Sequence, residues 1–273
     1  MLLDRALPQE LVDQVIDEFG VAYRDADHDR YSDHRLNAGR VLHSCALVSK
    51  NWTHRSRIHL FREVKIRGDE EGLFPVPPQS VVSYIEVLKV RLQSERYRLF
   101  PSPELLAQFH AAPITYLGIT EGVLAADARV CLVECVIALS ATLQTVVFKS
   151  CSLSLHLILD IVSAHPGLKC LHLHSCDFKP AKSDPPVVPL PGVCSKLTGL
   201  ELGVFSQSAP RDHHLTVATV AQLPNQFGRL NLDHVYGPGP NATNATNALI
   251  KASGESLSSL QVRIVTRTSR VLK

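Results

Sequence analysis

One apolar pattern constrains this chain more than any other feature: an apolar residue, two others, an apolar residue, one other, an apolar residue. It occurs as Ile85/Leu88/Val90, Ile114/Leu117/Ile119, Leu143/Val146/Phe148 and Leu168/Leu171/Leu173. It continues as Leu197/Leu200/Leu202, Phe227/Leu230/Leu232 and Leu257/Leu260/Val262. The middle positions are spaced 29, 29, 25, 29, 30 and 30 residues apart. Chance matches in a leucine-rich chain would not keep such even spacing, so the pattern marks a structural repeat. Its second and third apolar residues are two apart and share one face of a short strand. A single strand of this kind cannot bury its apolar face, whereas stacked neighbours make a continuous core.

The intervening segments read as helices. Ser102-Pro103-Glu104 offers a cap, a first-turn proline and an early acid before Leu105, Leu106 and Phe109. Leu132, Val133, Val136 and Ile137 form a helical stripe. Leu155, Leu159 and Val162 form another, stopped by His165-Pro166-Gly167. Residues 245–252 make a short helix ending before Gly254. Proline-rich residues 180–194 and Gly237-Pro238-Gly239-Pro240 read as irregular loops. Cys151 and Cys176 both stand five residues after a middle position, where a small residue packs as the chain leaves the strand. Over residues 80–273 the chain resembles the leucine-rich repeat family of the longer, cysteine-containing type.

The first 66 residues stand outside the repeat. Leu7-Pro8-Gln9-Glu10-Leu11 starts a helix, and Leu11, Val12, Val15, Ile16 and Phe19 give it an apolar stripe that Gly20 ends. A polar stretch, 21–40, reads as a loop. A second helical segment follows at 41–48, then Trp52 and Leu60-Phe61. The strings LPQELVDQVI, SCALVSKNW and RIHLFREV together resemble an F-box, in particular the fungal version. The matching positions are Leu7, Pro8, Glu10, Leu11, Ile16, Val48, Ser49 and Trp52. The polar insertion is longer than the turn most F-boxes have.

The expected fold is therefore α/β. A small N-terminal helical, F-box-like module occupies residues 1–66. A leucine-rich-repeat horseshoe occupies 67–273, a solenoid of about seven repeats on a parallel sheet. The resemblance implies a substrate-recognition adaptor of an SCF-type cullin–RING ubiquitin ligase. Its F-box would bind the Skp-family linker through Leu7, Pro8, Glu10, Leu11, Ile16, Leu47, Val48 and Trp52, and its repeats would bind a protein substrate. The alternative is a leucine-rich-repeat interaction scaffold with no ligase role.

Residues between the core positions of each strand point to the opposite, concave face. They include Lys89, Arg91, Tyr116, Glu121, Lys149, His172, His174, Glu201, Arg229, Asp233, His234, Gln261 and Arg263. Their charge is mixed, and the whole chain carries only +2. That suits a protein partner better than nucleic acid or an anionic membrane. Asp4, Arg5 and Glu10 argue against a secretory signal, no stretch is long and apolar enough to span a bilayer, and the expected location is cytoplasmic or nuclear. The seven cysteines are then expected to be reduced, and the glycosylation sequons at Asn51, Asn241 and Asn244 to be idle.

No catalytic chemistry, cofactor or metal is expected. Asp25, Asp27 and Asp29 begin like a calcium loop, but Arg30 stands at the glycine position and Leu36 at the twelfth. Cys131 and Cys135 have no second pair at zinc spacing. His172, His174 and Cys176 fail in another way, because the strand register sends Cys176 to the core side. P-loop, nucleophile-elbow and dinucleotide signatures are absent.

Overall fold

A computed structural model of the protein describes residues 8–25, 33–67, 78–92, 108–109, 111–123, 126–139, 141–165, 167–178, 197–203, 229–233, 247, 250–251 and 257–263. Two compact units emerge. The first comprises Met1–Val64, Pro77–Val87 and Ala111–Pro113. The second comprises Lys65–Val76, Leu88–His110 and Ile114–Lys273.

The first unit contains helices α1 (Gln9–Asp25), α2 (Asp33–Val48), α3 (Lys50–Phe61) and the short α4 (Gln79–Val82). Pro8 precedes the first turn of α1, where its carbonyl accepts from Leu11 and Val12. Val12 and Ile16 on α1 meet Leu42 on α2 in a small core, with Phe19, Tyr23, Cys45, Trp52 and Leu60 packed around it. Ser49 caps α3 by accepting from the Asn51 N–H at 3.3 Å. The single Thr53 hydroxyl proton lies within reach of the Ala46 carbonyl at 2.7 Å and the Ser49 carbonyl at 2.9 Å, which ties the α2–α3 joint together.

Two expectations are corrected here. Gly20 does not end α1, which continues to Asp25. Nor is 21–40 a loop, because α2 already starts at Asp33. Gly20 serves close packing instead: a Cβ built on it would stand 2.2 Å from His59 Nδ1 on α3. Within that stretch Asn37 and Arg40 are exposed on α2, while residues 26–32 lie outside the described residues.

The second unit is mixed α/β. Its sheet runs in the order β1 (Glu63–Arg67), β2 (Val87–Arg91), β3 (Tyr116–Val123), β4 (Thr145–Leu153), β5 (Cys170–His174), β7 (Gly199–Gly203), β8 (Arg229–Asp233) and β9 (Ser259–Arg263). The two-residue β6 (Asp177–Phe178) pairs with β4. From β3 to β9 the six main strands are parallel and the sheet is not closed. The register sets the repeat's middle positions side by side, Leu117–Val146–Leu171–Leu200–Leu230–Leu260. Leu88, Leu117, Val146, Leu171 and Leu200 are buried, whereas Leu260 on β9, which has one neighbouring strand, is 44% exposed.

Helices α5 (Ala126–Ala138) and α6 (Leu155–Ala164) follow β3 and β4. They add Leu132, Val136, Leu157, Ile158 and Ile161 to the buried set. Ser154 caps α6 by accepting from Leu157 N–H, and α6 stops at His165 as its sequence predicts. His165 is buried and its Nε2 lies 2.5 Å from the Leu143 carbonyl. Of the expected helix at 245–252, Asn247, Ile250 and Lys251 are helical and the rest lies outside the described residues, as do the loops at 180–194 and 237–240 and the start of the expected helix at 102.

The repeat extends to the main chain. Two successive N–H groups donate to one carbonyl in the preceding repeat: Gln144 and Thr145 to Thr115, Lys169 and Cys170 to Gln144, Thr198 and Gly199 to Lys169. The same arrangement joins Glu86 and Val87 to Arg62 within the first unit. Four residues after the middle position, Glu121, Ser150 and Ser175 all adopt a left-handed φ of 52 to 58°. Ser175 follows the end of β5, whereas Glu121 and Ser150 lie within β3 and β4, which continue to Val123 and Leu153. The next residue in two of them is a buried cysteine. Cys151 Sγ lies 3.5 Å from the Ile119 carbonyl and Cys176 Sγ 3.5 Å from the Phe148 carbonyl, each on the neighbouring strand. These are packed thiols, as their equivalent positions suggest.

Candidate protein-docking surface

The apolar stripe of α1 is wider than its core. Val12 and Ile16 point inward and are buried, while Leu11 and Val15 are 49% and 54% exposed. The second helix, α2, ends on Leu47 and Val48, 87% and 66% exposed. Leaving such residues on neighbouring helices in water is unfavourable by roughly 25 cal/mol for each Å² of apolar surface not removed from it. Leu11, Val15, Cys45 and Trp52 line an open groove of about 690 Å³ floored by Val12 and Ile16 and edged by the polar Gln14 and Glu18. An apolar groove with a polar edge is suited to docking another polypeptide.

The residues expected to bind the linker are thus placed as follows. Pro8, Glu10, Leu11, Leu47 and Val48 are exposed. Trp52 is half-buried against the core and reaches the groove. Ile16 is 1% exposed, because it sits one helical turn beyond Val12 on the inward side. It is a core residue that also floors the groove. Leu7 lies outside the described residues. Val15 and Cys45 were missing from the sequence-based set. Val15 is legible as part of the stripe, but nothing in the sequence separates its outward half from its inward half.

A polar clamp stiffens the unit. Arg55 Nε donates to Asp17 Oδ1 at 2.7 Å, and a second guanidinium N–H of Arg55 reaches Asp17 Oδ2. His59 Nε2 lies 2.8 Å from Asp17 Oδ1. The Arg55 hydrogen bond is the main cause that lowers the Asp17 carboxyl from 3.8 to about 2. A carboxylate lowered on folding stabilises the native state above its unfolded value and loses that contribution as pH falls through its folded value. Thermal melts of the first unit should therefore lose stability between about pH 4 and about pH 2. Asp17→Asn should flatten that part of the curve. The effect is modest because Asp17 and Arg55 are both partly solvated.

In the second unit, several of the residues expected to face a substrate lie on the sheet side opposite the core. Lys89, Arg91 and Tyr116 are half-buried, and Glu121 and Lys149 are exposed. Arg91 Nε donates to Glu121 Oε2 at 2.7 Å. Tyr116 lies across Gly118, whose missing side chain leaves room for the ring. His172, His174 and Glu201 come together, with His172 Nδ1 2.8 Å from Glu201 Oε2. Burial pushes the His172 imidazole down, Glu201 pulls it up and His174 pushes it down. Arg229 and Asp233 lie on β8, Gln261 and Arg263 on β9, and His234 lies outside the described residues.

No protein-family model matches this chain, and no curated protein matches it. Among the described residues no helix is long and apolar enough to cross a membrane.

Proposed function

We propose that the protein is a non-enzymatic adaptor of an SCF-type cullin–RING ubiquitin ligase. Its N-terminal helical module docks on the Skp-family linker, and its repeats, forming a leucine-rich-repeat horseshoe, hold a protein substrate. The observation that carries this reading is the apolar groove lined by the exposed Leu11 and Val15, together with Leu47 and Val48 exposed at the end of α2. These residues fall in two of the three strings that resemble an F-box. Pro8 and Leu11 are open to solvent rather than consumed by internal packing. The mixed-charge side of the sheet offers a surface for the substrate, and tethering both ends raises the substrate's effective concentration at the ligase.

The test is binding of the purified chain to the Skp-family linker. The variants Leu11→Asp and Val48→Asp change exposed positions and should leave the fold intact. Wild type is expected to bind with one-to-one stoichiometry. Each variant should lose about 2 kcal/mol or more, the scale of an interface hot spot, while Lys149→Asp binds normally. A folded wild-type chain that does not bind the linker would overturn the ligase role and leave a repeat scaffold.

A further inference from the structure

We infer that His172, His174 and Glu201 form a binding site for a divalent transition-metal ion, zinc by its donor set, on the side of the sheet opposite the core. The placement follows from strand geometry. His172 and His174 are two residues apart on β5 and so project from the same side of the sheet. The register partner of His172 on β7 is Glu201. One ligand atom from each residue lies within 4.8 Å of the other two, and the two imidazole rings are 6.0 Å apart between centroids.

Two imidazoles and one carboxylate are the donor set of an open zinc site, whose remaining position is taken by water. Ligands about 2.0–2.1 Å from a zinc ion stand closer together than these side chains do at rest. Closing that gap requires the three side chains to turn toward one another. All three residues are half-buried, so they are partly desolvated yet reachable. His174 has Gly203 as its partner on β7, and a glycine brings no side chain to crowd the ring.

Two other groups on this side bear on the site. Lys149 is the partner of His174 on β4. It is exposed, and its flexible stem lets the ammonium swing into water. Cys170 is on the same side of β5 but packs toward Gly199, where its Sγ would stand 3.0 Å from a built Cβ. This site is independent of the linker-docking reading.

The experiment is titration of the full chain with Zn²⁺ by calorimetry, and with Co²⁺ followed by visible absorption. One saturable site is expected, with cobalt d–d bands typical of nitrogen and oxygen donors and no thiolate charge-transfer band. His174→Ala and Glu201→Gln, each checked by circular dichroism for a retained fold, should each weaken Zn²⁺ binding by about tenfold or more. Cys170→Ser should bind as wild type does. Wild-type affinity in His174→Ala would overturn the assignment. So would a thiolate band lost in Cys170→Ser, or the absence of saturable binding.

Discussion

Replacing Phe148 with alanine should cost the second unit about 3–5 kcal/mol, the range for truncating a buried phenylalanine. Phe148 is fully buried on β4, between Ile119 on β3 and Leu173 on β5 in the register. Its loss leaves a cavity lined by the third apolar position of two neighbouring repeats. Those strands cannot close over it without giving up the hydrogen bonds that set their spacing. The informative control is Leu260→Ala. It occupies a core position of the same pattern but is 44% exposed on β9. Its truncation should cost about 1 kcal/mol or less. Urea unfolding of the two variants checks both values. Equal costs would show that the pattern does not mark one graded core.

Gly20→Ala should destabilise the first unit, against the trend for glycine in a helix. Alanine is the better helix former by about 1 kcal/mol. At Gly20 the new methyl would meet the His59 ring at 2.2 to 2.5 Å. His59 is buried and lies 2.8 Å from Asp17, so the ring cannot move off without straining that contact. Overpacking of this kind typically costs about 1–3 kcal/mol, which outweighs the helical gain. Gly39→Ala on α2 tests the argument. There the nearest atom is the outer edge of Tyr23, 3.2 Å away, which can yield by the few tenths of an ångström required. That variant should keep most of the propensity gain. Melting temperatures should move in opposite directions, and a rise for Gly20→Ala would show that His59 is not held over α1.

The sequence spacing located the strands better than it located the helices, and the reason is physical. Leu117, Val146, Leu171, Leu200, Leu230 and Leu260 stand in one register row because each must share a buried layer with its neighbours. β1 and β6 had no such mark. β1 buries Ile66 alone, and β6 is only two residues long. The helix limits were misread where polarity and a glycine were taken as breaks. Gly20 is in fact a contact point, and the polar residues from Asp33 onward begin α2. At the docking surface, Leu11, Leu47 and Val48 were legible as apolar residues in a small module. Ile16 was not separable from them, because a stripe in sequence does not say which of its edges meets a second helix. The approach of Glu201 to His172 depends on a register across 29 residues, which no local pattern encodes.

The carbonyls that each accept two successive N–H groups have a consequence for how this chain can change length. Thr115, Gln144 and Lys169 hand the register from one repeat to the next through pairs of main-chain N–H groups, to which the Thr198 hydroxyl adds a contact with the Lys169 carbonyl at 3.3 Å. The length of the intervening segment does not enter those main-chain bonds. The gap from Gln144 to Lys169 is 25 residues and its neighbours are 29, yet the same bond closes all three. The proline-rich stretch 180–194 falls between the Lys169 carbonyl and its donors Thr198 and Gly199. Such a chain can lose, gain or duplicate a whole unit, or lengthen one outer segment, and every junction that remains is chemically unchanged. Mutation by unequal recombination would then resize the side of the sheet opposite the core stepwise, one strand at a time, without redesign of the joints.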